Sequence, residues 1–341
     1  MRNLKSSLQN SKFNFVTILK WILIGILALV LAGTLVFSFA GFNYSFELVG
    51  GQMMTVEVKD SSLVGEADYK SQYTDKISNL KKEVYKIFDE HGINIAEYQL
   101  QGDGNDVKMV FKYKNKRALD SEGMAFVNSQ IKGEIETTLN ATSSVISFVS
   151  SEGEAVSPAV NKSTYARVAL AFVLVLVLAF TYIAIRFNVF AAISSLFTTL
   201  ISALAYLSVV AITRIPFGSA TVAGMGAMLV VILLGSVLQF NNVKEFYLEG
   251  TERLNHHEVA NKSTFKMLFF WIISALVTVL ASVELAIFGY AFSNAAVGAI
   301  GLNVMTSLLV GFAAIVFVNS AIYGLITNKK NYKPVFNKLN K

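Results

Sequence analysis

The chain has 341 residues, of which 54% are hydrophobic and only 15% are charged, and it contains no cysteine. Soluble domains carry about 25% charged residues, so this composition predicts a membrane protein. The absence of cysteine excludes thiol catalysis, disulfide bonds and cysteine-ligated metal. The net charge of +6 comes from basic residues that flank apolar runs, which indicates attraction to anionic membrane lipids rather than nucleic-acid binding.

Six apolar segments are long enough to cross the hydrocarbon core, which takes about 20 residues. We predict membrane helices over residues 17–42, 165–186, 188–212, 218–240, 266–288 and 294–327. A turn at Gly289–Asn294 separates the last two helices, and a loop at 241–265 separates the fourth from the fifth. The first apolar run is longer than the roughly 7–15 residues of a signal-peptide core, so a retained helix is favoured over a signal peptide cleaved near Ala40.

The distribution of charge predicts the orientation. The tails at 1–16 and 328–341 are basic and contain no acid, whereas residues 47–163 hold 18 Asp and Glu against 13 Lys and Arg. Positive residues concentrate on the cytoplasmic side of membrane proteins. We therefore expect both termini and the loop 241–265 in the cytoplasm, and the polar block at 43–163 on the outer side.

The polar block predicts a compact α+β domain. Strand patterns lie at 53–59, 93–101, 106–113 and 144–150, and helical spacing at 75–91 and 117–139. The resulting βαββαβ order is that of a ferredoxin-like domain. The block contains no paired carboxylates, no histidine cluster and no nucleophile motif, which favours a binding module over an enzyme.

Five short motifs follow one another between residues 15 and 327. They are SFELVGG with Glu47, Gly50 and Gly51; VSPAV with Pro158; TYIAIRFN with Arg186; FNNVKE with Phe240, Asn241, Lys244 and Glu245; and NKS at 261–263. Taken singly, each has a plain structural explanation, such as a tight turn, a linker or an arginine at the membrane interface. In this order and spacing they resemble the SecD/SecF family, and the small outer domain resembles SecF more than SecD.

The resemblance implies an accessory subunit of the Sec preprotein translocase, within the resistance-nodulation-division superfamily. Such a subunit assists the late translocation and release of secreted proteins on the outer side of the bacterial plasma membrane. Its implied partners are the SecYEG channel, a six-helix SecD-like subunit and preprotein substrates, and no cofactor is implied. The family uses the proton motive force through ionisable residues within its membrane helices.

Aligning the motifs puts neutral residues where the family carries charge. The resemblance assigns the family's intramembrane acid to Gly235 and the next family position to Ser236. It assigns a His-Asp pair to Thr198 and Thr199, and an arginine to the vicinity of Phe270. None of these side chains titrates usefully. The resemblance therefore implies a proton relay that is lost in this chain or supplied by a partner.

Glu284 is the one acid that remains within the apolar segments. One interpretation is a displaced proton site, since intramembrane acids are costly and usually functional. The other is an interfacial carboxylate that reaches water or pairs with Arg214. Its position near the end of the fifth predicted helix favours the interfacial carboxylate.

Two other functions stay open. A non-coupled scaffold beside the Sec channel or a membrane insertase is favoured by the lost charges. A small-molecule exporter of the same superfamily would need a large outer domain and acids in its fourth helix, and the sequence has neither. His256-His257-Glu258 lacks the i, i+4 placement of a helical metal site, so no metal site is predicted.

Overall fold

The computed structural model describes residues 14–60, 69–103, 106–114, 121–142, 146–151, 153–156, 162–249, 255–291 and 295–329. It is mostly helical, with one small antiparallel sheet. Two compact units are distinguished: the bundle unit, drawn from 1–43, 163–286 and 299–341, and the sheet unit, drawn from 44–162 and 287–298. Pro158 lies outside the described residues, as does the end of the predicted turn at Gly289–Asn294.

The bundle unit is built from long apolar helices. In chain order these are α1 (Phe15–Ala40), α5 (Lys162–Arg186), α6 (Val189–Thr213), α7 (Ser219–Glu249), α8 (His256–Ala291) and α9 (Ala295–Ala314), which continues through a π-helical segment (Ile315–Asn319) into α10 (Ser320–Lys329). Within the described residues, 6 helical stretches are long and apolar enough to cross a membrane, with α9 to α10 counted as one. The prediction of six membrane helices is confirmed at this level.

Local signals explain where these helices begin and end. The Asn14 side chain accepts hydrogen bonds from the first amides of α1, at Val16 (3.0 Å) and Thr17 (3.3 Å). At the other end of the unit, α6 stops at Arg214, which has a left-handed backbone with φ 58°. The Arg214 guanidinium donates to the carbonyls of Ala40 and Gly41 at the end of α1. One residue therefore ends α6 and caps α1.

Helix α6 packs closely against α1. A Cβ atom added at Gly33 of α1 would lie 2.5 Å from the Cβ of Ser208 on α6, so a larger residue at 33 would push the helices apart. Small residues at such crossings are how membrane helices approach each other. Most of the serine and threonine side chains of α6 lie on its buried face.

The helices differ from the prediction at their ends. Residues 241–249 and 256–265, which we expected in a loop, are helical as the end of α7 and the start of α8. A salt bridge of 2.7 Å between Lys266 and Glu245 joins these two ends. Hydropathy indicates only where the apolar sequence ends. The two helices continue beyond that point, where polar side chains of one helix can pair with those of the other. The π-helical segment was not predicted.

The sheet unit contains α2 (Phe46–Val49), β1 (Gly51–Asp60), α3 (Tyr69–Glu90), β2 (Ile95–Asp103), β3 (Asp106–Tyr113), α4 (Ser121–Thr142), β4 (Ile146–Ser150) and β5 (Glu154–Val156). The strand order is β2-β3-β1-β4, with β5 also paired to β1, and the pairs are antiparallel. Residues of one sheet face and of both long helices form a single apolar core, which includes Met54, Val56, Phe88, Phe111 and Ile135. The short strand β5 was not predicted.

The paired glycines of the first motif have a structural reason. Gly50 ends α2 with φ 68°, a left-handed conformation that glycine adopts without strain. At Gly51, an added Cβ would run into the main-chain oxygen of Tyr113 on β3. The two glycines therefore let the chain turn from α2 into the first strand of the sheet.

Candidate functional site

One face of α6 carries a stripe of buried hydroxyl groups, formed by Ser194, Ser195, Thr198, Thr199 and Ser202, none more than 3% exposed. Four of them donate to the carbonyl four residues earlier in the same helix, at 2.6–3.0 Å. This is how hydroxyls are satisfied in a helix that has no water around it. Ser194 is the exception, because it donates to the main-chain oxygen of Asn319 in the π-helical segment.

The amides of Gln239 and Asn319 form the centre of a buried network that we call the polar hub. Asn319 Nδ2 donates to Gln239 Oε1 at 2.8 Å, and Gln239 Nε2 donates to Thr264 Oγ1 at 3.1 Å. Thr264 is in turn hydrogen-bonded to the hydroxyl of Ser320. On the other side, Asn319 Oδ1 lies 3.4 Å from the hydroxyl of Thr198. The hub thus links α6, α7, α8, the π-helical segment and α10, and every side chain in it is fully buried.

The π-helical segment positions Asn319 for this role. A π-helical turn inserts an extra residue into the i, i+4 ladder, and such turns are frequent at functional sites. Its first residue, Ile315, and its last, Asn319, are both fully buried. Ile315 contacts the neighbourhood of Gly235 on α7, and Asn319 contacts Gln239 one turn further along the same helix.

Gly235 is a packed position. A Cβ at residue 235 would lie 2.6 Å from Cγ1 and 3.0 Å from Cδ1 of Ile315, and 3.2 Å from Cη2 of Trp271. The space that any side chain at 235 would occupy is therefore filled by apolar groups. Two buried polar atoms in the described bundle have no hydrogen-bond partner, the hydroxyl of Ser236 and the indole nitrogen of Trp271.

Phe270, to whose vicinity the resemblance assigned the family's arginine, lies at the surface of the bundle. Phe270 is 49% exposed, whereas Trp271 is 5% exposed and is the α8 residue that contacts Gly235. Successive residues of a helix point about 100° apart, so a one-residue difference in alignment moves a side chain from the interior to the surface. Sequence reasoning missed Trp271 for this reason.

Glu284 lies on the exposed side of α8. It is not drawn into the polar hub, and Arg214 uses its guanidinium on the carbonyls of Ala40 and Gly41. The suggested pairing of Glu284 with Arg214 is therefore not part of the described structure. The exposed position of Glu284 fits a carboxylate at the surface of α8.

A second polar cluster lies toward the opposite end of the bundle unit from the polar hub. The hydroxyl of Tyr206 donates to Asn303 Oδ1 at 2.8 Å, and Asn303 Nδ2 donates to the carbonyls of Pro216 (3.3 Å) and Ala299 (2.9 Å). These bonds tie α6, the segment before α7, and α9. The cluster contains no acid or base that titrates near neutral pH.

The family-motif residues near residue 240 gather at one end of the bundle. Phe240 packs against Phe187 and Tyr323, with ring centroids 6.1 and 5.2 Å apart. Asn188 caps α6 and donates to the hydroxyl of Tyr323 at 3.2 Å. Arg186 is exposed beside Phe187, while Asn241 is exposed and Lys244 half-buried.

The histidines of the 256–258 stretch are engaged in hydrogen bonds. His256 Nδ1 is bonded to the hydroxyl of Tyr247, and His257 Nε2 lies 2.7 Å from Asn328 Nδ2. Across the described ranges, no group of three or more His, Cys, Asp or Glu converges on one point. These histidines therefore link the start of α8 to the ends of α7 and α10 by hydrogen bonds.

The long apolar helices and the neutral polar hub that they surround are those of a multi-pass membrane protein. A family model described as protein export membrane protein SecD/SecF, C-terminal, matches residues 134–329. The chain belongs to the SecD/SecF family of protein-export membrane proteins, as its motifs indicated. No match was found among curated proteins.

Two solved structures have the same fold over nearly the whole chain. A SecDF structure in a super-membrane-facing form has a TM-score of 0.66 and 19% identity, and covers 94% of this chain and 40% of its own. SecDF from Thermus thermophilus, described as a translocon-associated membrane protein, has a TM-score of 0.59 and 18% identity, and covers 95% of this chain and 39% of its own. The chain thus spans about two fifths of the length of these relatives.

Proposed function

We propose that this chain is a SecF-type accessory subunit of the Sec preprotein translocase, which assists the late translocation and release of secreted proteins. Membership of the SecD/SecF family and the shared fold with SecDF support this function. The sheet unit is proposed as a ferredoxin-like binding module on the outer side. Its strand, helix, strand, strand, helix, strand order and its sheet order of β2-β3-β1-β4 support that assignment.

The proposed setting is the bacterial plasma membrane, with both termini in the cytoplasm. The basic tails and the acidic excess of residues 47–163 support this orientation. The proposed partners are a six-helix SecD-like subunit, the SecYEG channel and the preproteins themselves. Membership of the SecD/SecF family supports the association with the Sec translocon and its substrates.

The packing at Gly235 is the observation that supports the absence of a proton-coupling group at this position. A side chain there would collide with Ile315 and Trp271, so the position has no room for a proton-carrying group. The neighbouring polar hub consists of amides and hydroxyls, which do not exchange a net charge near neutral pH. Proton-motive-force coupling, where it occurs, is therefore assigned to the partner.

Purification tests the partner proposal. The full chain, extracted in a mild detergent and captured by a tag, is expected to bring down Sec channel subunits, a SecD-like protein, or both. A matched capture with an unrelated six-helix protein of the same membrane controls for co-extracted lipid domains. Recovery of the chain alone from several mild detergents would contradict a translocase subunit.

A non-coupled scaffold beside the channel or an insertase is the second candidate, and the continuity of the polar hub favours it. Hydrogen bonds between Thr264 and Ser320 and between Gln239 and Asn319 fix several helices in one arrangement. Because the chain has no cysteine, the pair Thr264→Cys and Ser320→Cys can be oxidised to lock α8 to α10 without side reactions. A scaffold keeps full export activity when locked, whereas a bundle that must rearrange loses it until the disulfide is reduced.

A further inference from the structure

The two edges of the sheet differ in how their main-chain groups are covered. An edge strand presents unpaired amides and carbonyls that pair readily with another chain, and natural proteins cover or blunt such edges. At the edge formed by β4, Glu136 of α4 accepts hydrogen bonds from the amide of Ser150 (3.3 Å) and from its hydroxyl (2.9 Å). The edge at β4 is therefore partly closed by a side chain.

The other edge is β2, which in the described sheet pairs only with β3. This strand has 9 residues against 5 in β4, and its register with β3 is regular from Glu97 to Asp103. That stretch contains no lysine or proline, the residues that commonly protect an edge. Every second residue of β2 directs its amide and carbonyl away from the sheet. Within the described part of the chain, no side chain covers these groups as Glu136 covers Ser150.

Helix α3 borders one face of the β2 edge. Lys81 and Tyr85 lie four residues apart and therefore on the same side of α3. The Lys81 ammonium lies 4.2 Å from the ring centroid of Tyr98 on β2 and 5.6 Å from that of Tyr85. Leu100 follows Tyr98 on the same face of β2 and is 46% exposed. These four residues form a surface beside the open strand that we call the edge surface.

Lys81 brings an uncompensated positive charge to the edge surface. No carboxylate among the described residues lies within salt-bridge distance of its ammonium, whereas Lys108 and Lys112 of the same sheet unit are paired with Glu57 (2.6 Å) and Glu97 (3.0 Å). Burial lowers the pKa of Lys81 from its ordinary value, because the charged form loses water. An acidic side chain placed beside this ammonium would stabilise it.

We propose that the outer edge of β2 binds an extended polypeptide segment as an added strand, with an acidic residue beside Lys81 and an apolar residue two positions away beside Leu100. In this mode of recognition, main-chain hydrogen bonds give affinity and alternate side chains give specificity. On the opposite face of β2, the side chains of Glu97, Gln99 and Gln101 are hydrogen-bonded to one another in a row, at 2.7 and 3.3 Å. Specificity is therefore assigned to the face that α3 borders.

The occupant is an extended segment of a secreted protein in transit, an identity that rests on the proposed function. Such a segment is unfolded and offers the unpaired amides and carbonyls that an open strand can bind. A second copy of this chain is the other candidate. Pairing of two β2 edges would bring two uncompensated Lys81 ammonium groups to one interface, where like charges repel. The charge on the edge surface favours an acidic polypeptide segment over a second copy.

Binding of a labelled peptide to the full chain tests the proposal. The probe is fluorescein-labelled Ser-Thr-Val-Thr-Glu-Thr-Val-Thr-Ser, which is symmetric about its glutamate and can pair with β2 in either direction. Fluorescence polarisation in a mild detergent, with empty micelles as the blank, should show saturable binding. A peptide with lysine in place of the glutamate should bind at least about tenfold more weakly, because the contact with the charged ammonium is lost.

N-methylated peptides show whether the main chain is recognised. Successive residues of a strand direct their amides to opposite edges. Methylating every second amide, in one phase or the other, therefore gives two forms of the probe. The methyl groups face solvent in one form, and in the other they face β2 and block pairing. Only one form should bind the wild-type chain, and this comparison does not depend on how a variant folds.

Two neighbouring lysines give a matched pair of variants. Lys81→Glu should lose the glutamate peptide and bind the lysine peptide instead. Lys82→Glu makes the same change of charge at an exposed residue that points about 100° away around α3, and should leave both affinities unchanged. An exchange of preference between the two peptides is a result that loss of structure could not give.

The contrary results are distinct. Binding of both N-methylated forms, or of neither, would exclude strand addition, and an unchanged preference in Lys81→Glu would place the peptide elsewhere. Disulfide-linked dimers of Gln101→Cys in membranes would show that a second copy occupies β2. Each of these results overturns the proposal and leaves the proposed function in export standing. If the probe binds as expected but export is equal with and without the chain, the proposed function fails and the secreted protein is excluded as the occupant.

Discussion

Replacing Gly235 by alanine adds one methyl group where α7 meets the π-helical segment. The added carbon would lie 2.6 Å from Ile315 Cγ1 and 3.2 Å from Trp271 Cη2, so Ile315 has to move. Overpacking of this kind costs about 1–3 kcal/mol. Gly235→Asp adds the same collision and a buried acid, which costs a further 2.5–3.5 kcal/mol or so on membrane-insertion scales. We therefore expect Gly235→Ala to be destabilised and Gly235→Asp to be largely absent from the membrane as folded protein.

The measurement is the thermal unfolding of detergent-purified variants, together with their folded yield by size-exclusion chromatography. Gly226→Ala is the matched control, since it lies in the same helix and a Cβ there meets nothing within 4 Å. Alanine at 226 should be neutral or stabilising by up to about 1 kcal/mol, from helix propensity alone.

A double-mutant cycle tests the mechanism. Ile315→Ala removes the colliding atoms, so Gly235→Ala should cost less in that background than in the wild type, by about 0.5–3 kcal/mol. Strict additivity of the two substitutions would refute the packing argument. A stable Gly235→Asp that makes export newly sensitive to a protonophore would refute the view that this position has no room for a relay group.

Other predictions address charge, topology and the sheet unit. Glu284→Gln should keep most export activity, measured with each variant as the sole copy, because the carboxylate lies near the end of α8 and outside the polar hub. Loss of export in this variant, with a matching loss of protonophore sensitivity, would make Glu284 a proton site. In this cysteine-free chain, Gln101→Cys should react with an impermeant thiol reagent on intact cells and Asn337→Cys should not, and the reverse pattern would overturn the orientation. Burial, and to a lesser extent Tyr85, raises the pKa of Tyr98 to about 12. The unfolded chain ionises near pH 10, so the stability that Tyr98 contributes is intact below that pH and is lost as pH rises toward 12. Tyr98→Phe should lessen alkaline unfolding in that window, followed by circular dichroism, and no difference between the two proteins would contradict the assignment.

The helices and their order could be predicted because hydropathy and periodicity are local properties of the sequence. The number of membrane helices follows from uninterrupted apolar length, and the family from motifs spread along the chain. The strands of the sheet unit followed from alternation, although the three-residue β5 is too short to carry a pattern. The ends of α7 and α8 were misplaced because amphipathic sequence beyond the apolar core remains helical.

Which side chains meet in the polar hub could not be predicted, because the contacts depend on how the helices are rotated against one another. Gln239 and Asn319 are 80 positions apart, and nothing in the sequence around either residue indicates that their amides meet. The π-helical segment that turns Asn319 toward α6 has no sequence signature of its own. The contact of Gly235 with Trp271 could not be predicted for the same reason, since the rotation of α8 is visible only when the neighbouring helices are in place.

The release of translocated preprotein in membrane vesicles tests the central claim most directly. Inverted vesicles from cells with and without this chain are loaded with a preprotein by ATP-driven translocation. Release into the lumen is then followed by opening the vesicles and separating soluble from membrane-bound preprotein. The proposed function predicts that release is slower without the chain and is restored equally by the wild type and by Glu284→Gln. Equal release in vesicles with and without the chain would contradict its assignment to preprotein export.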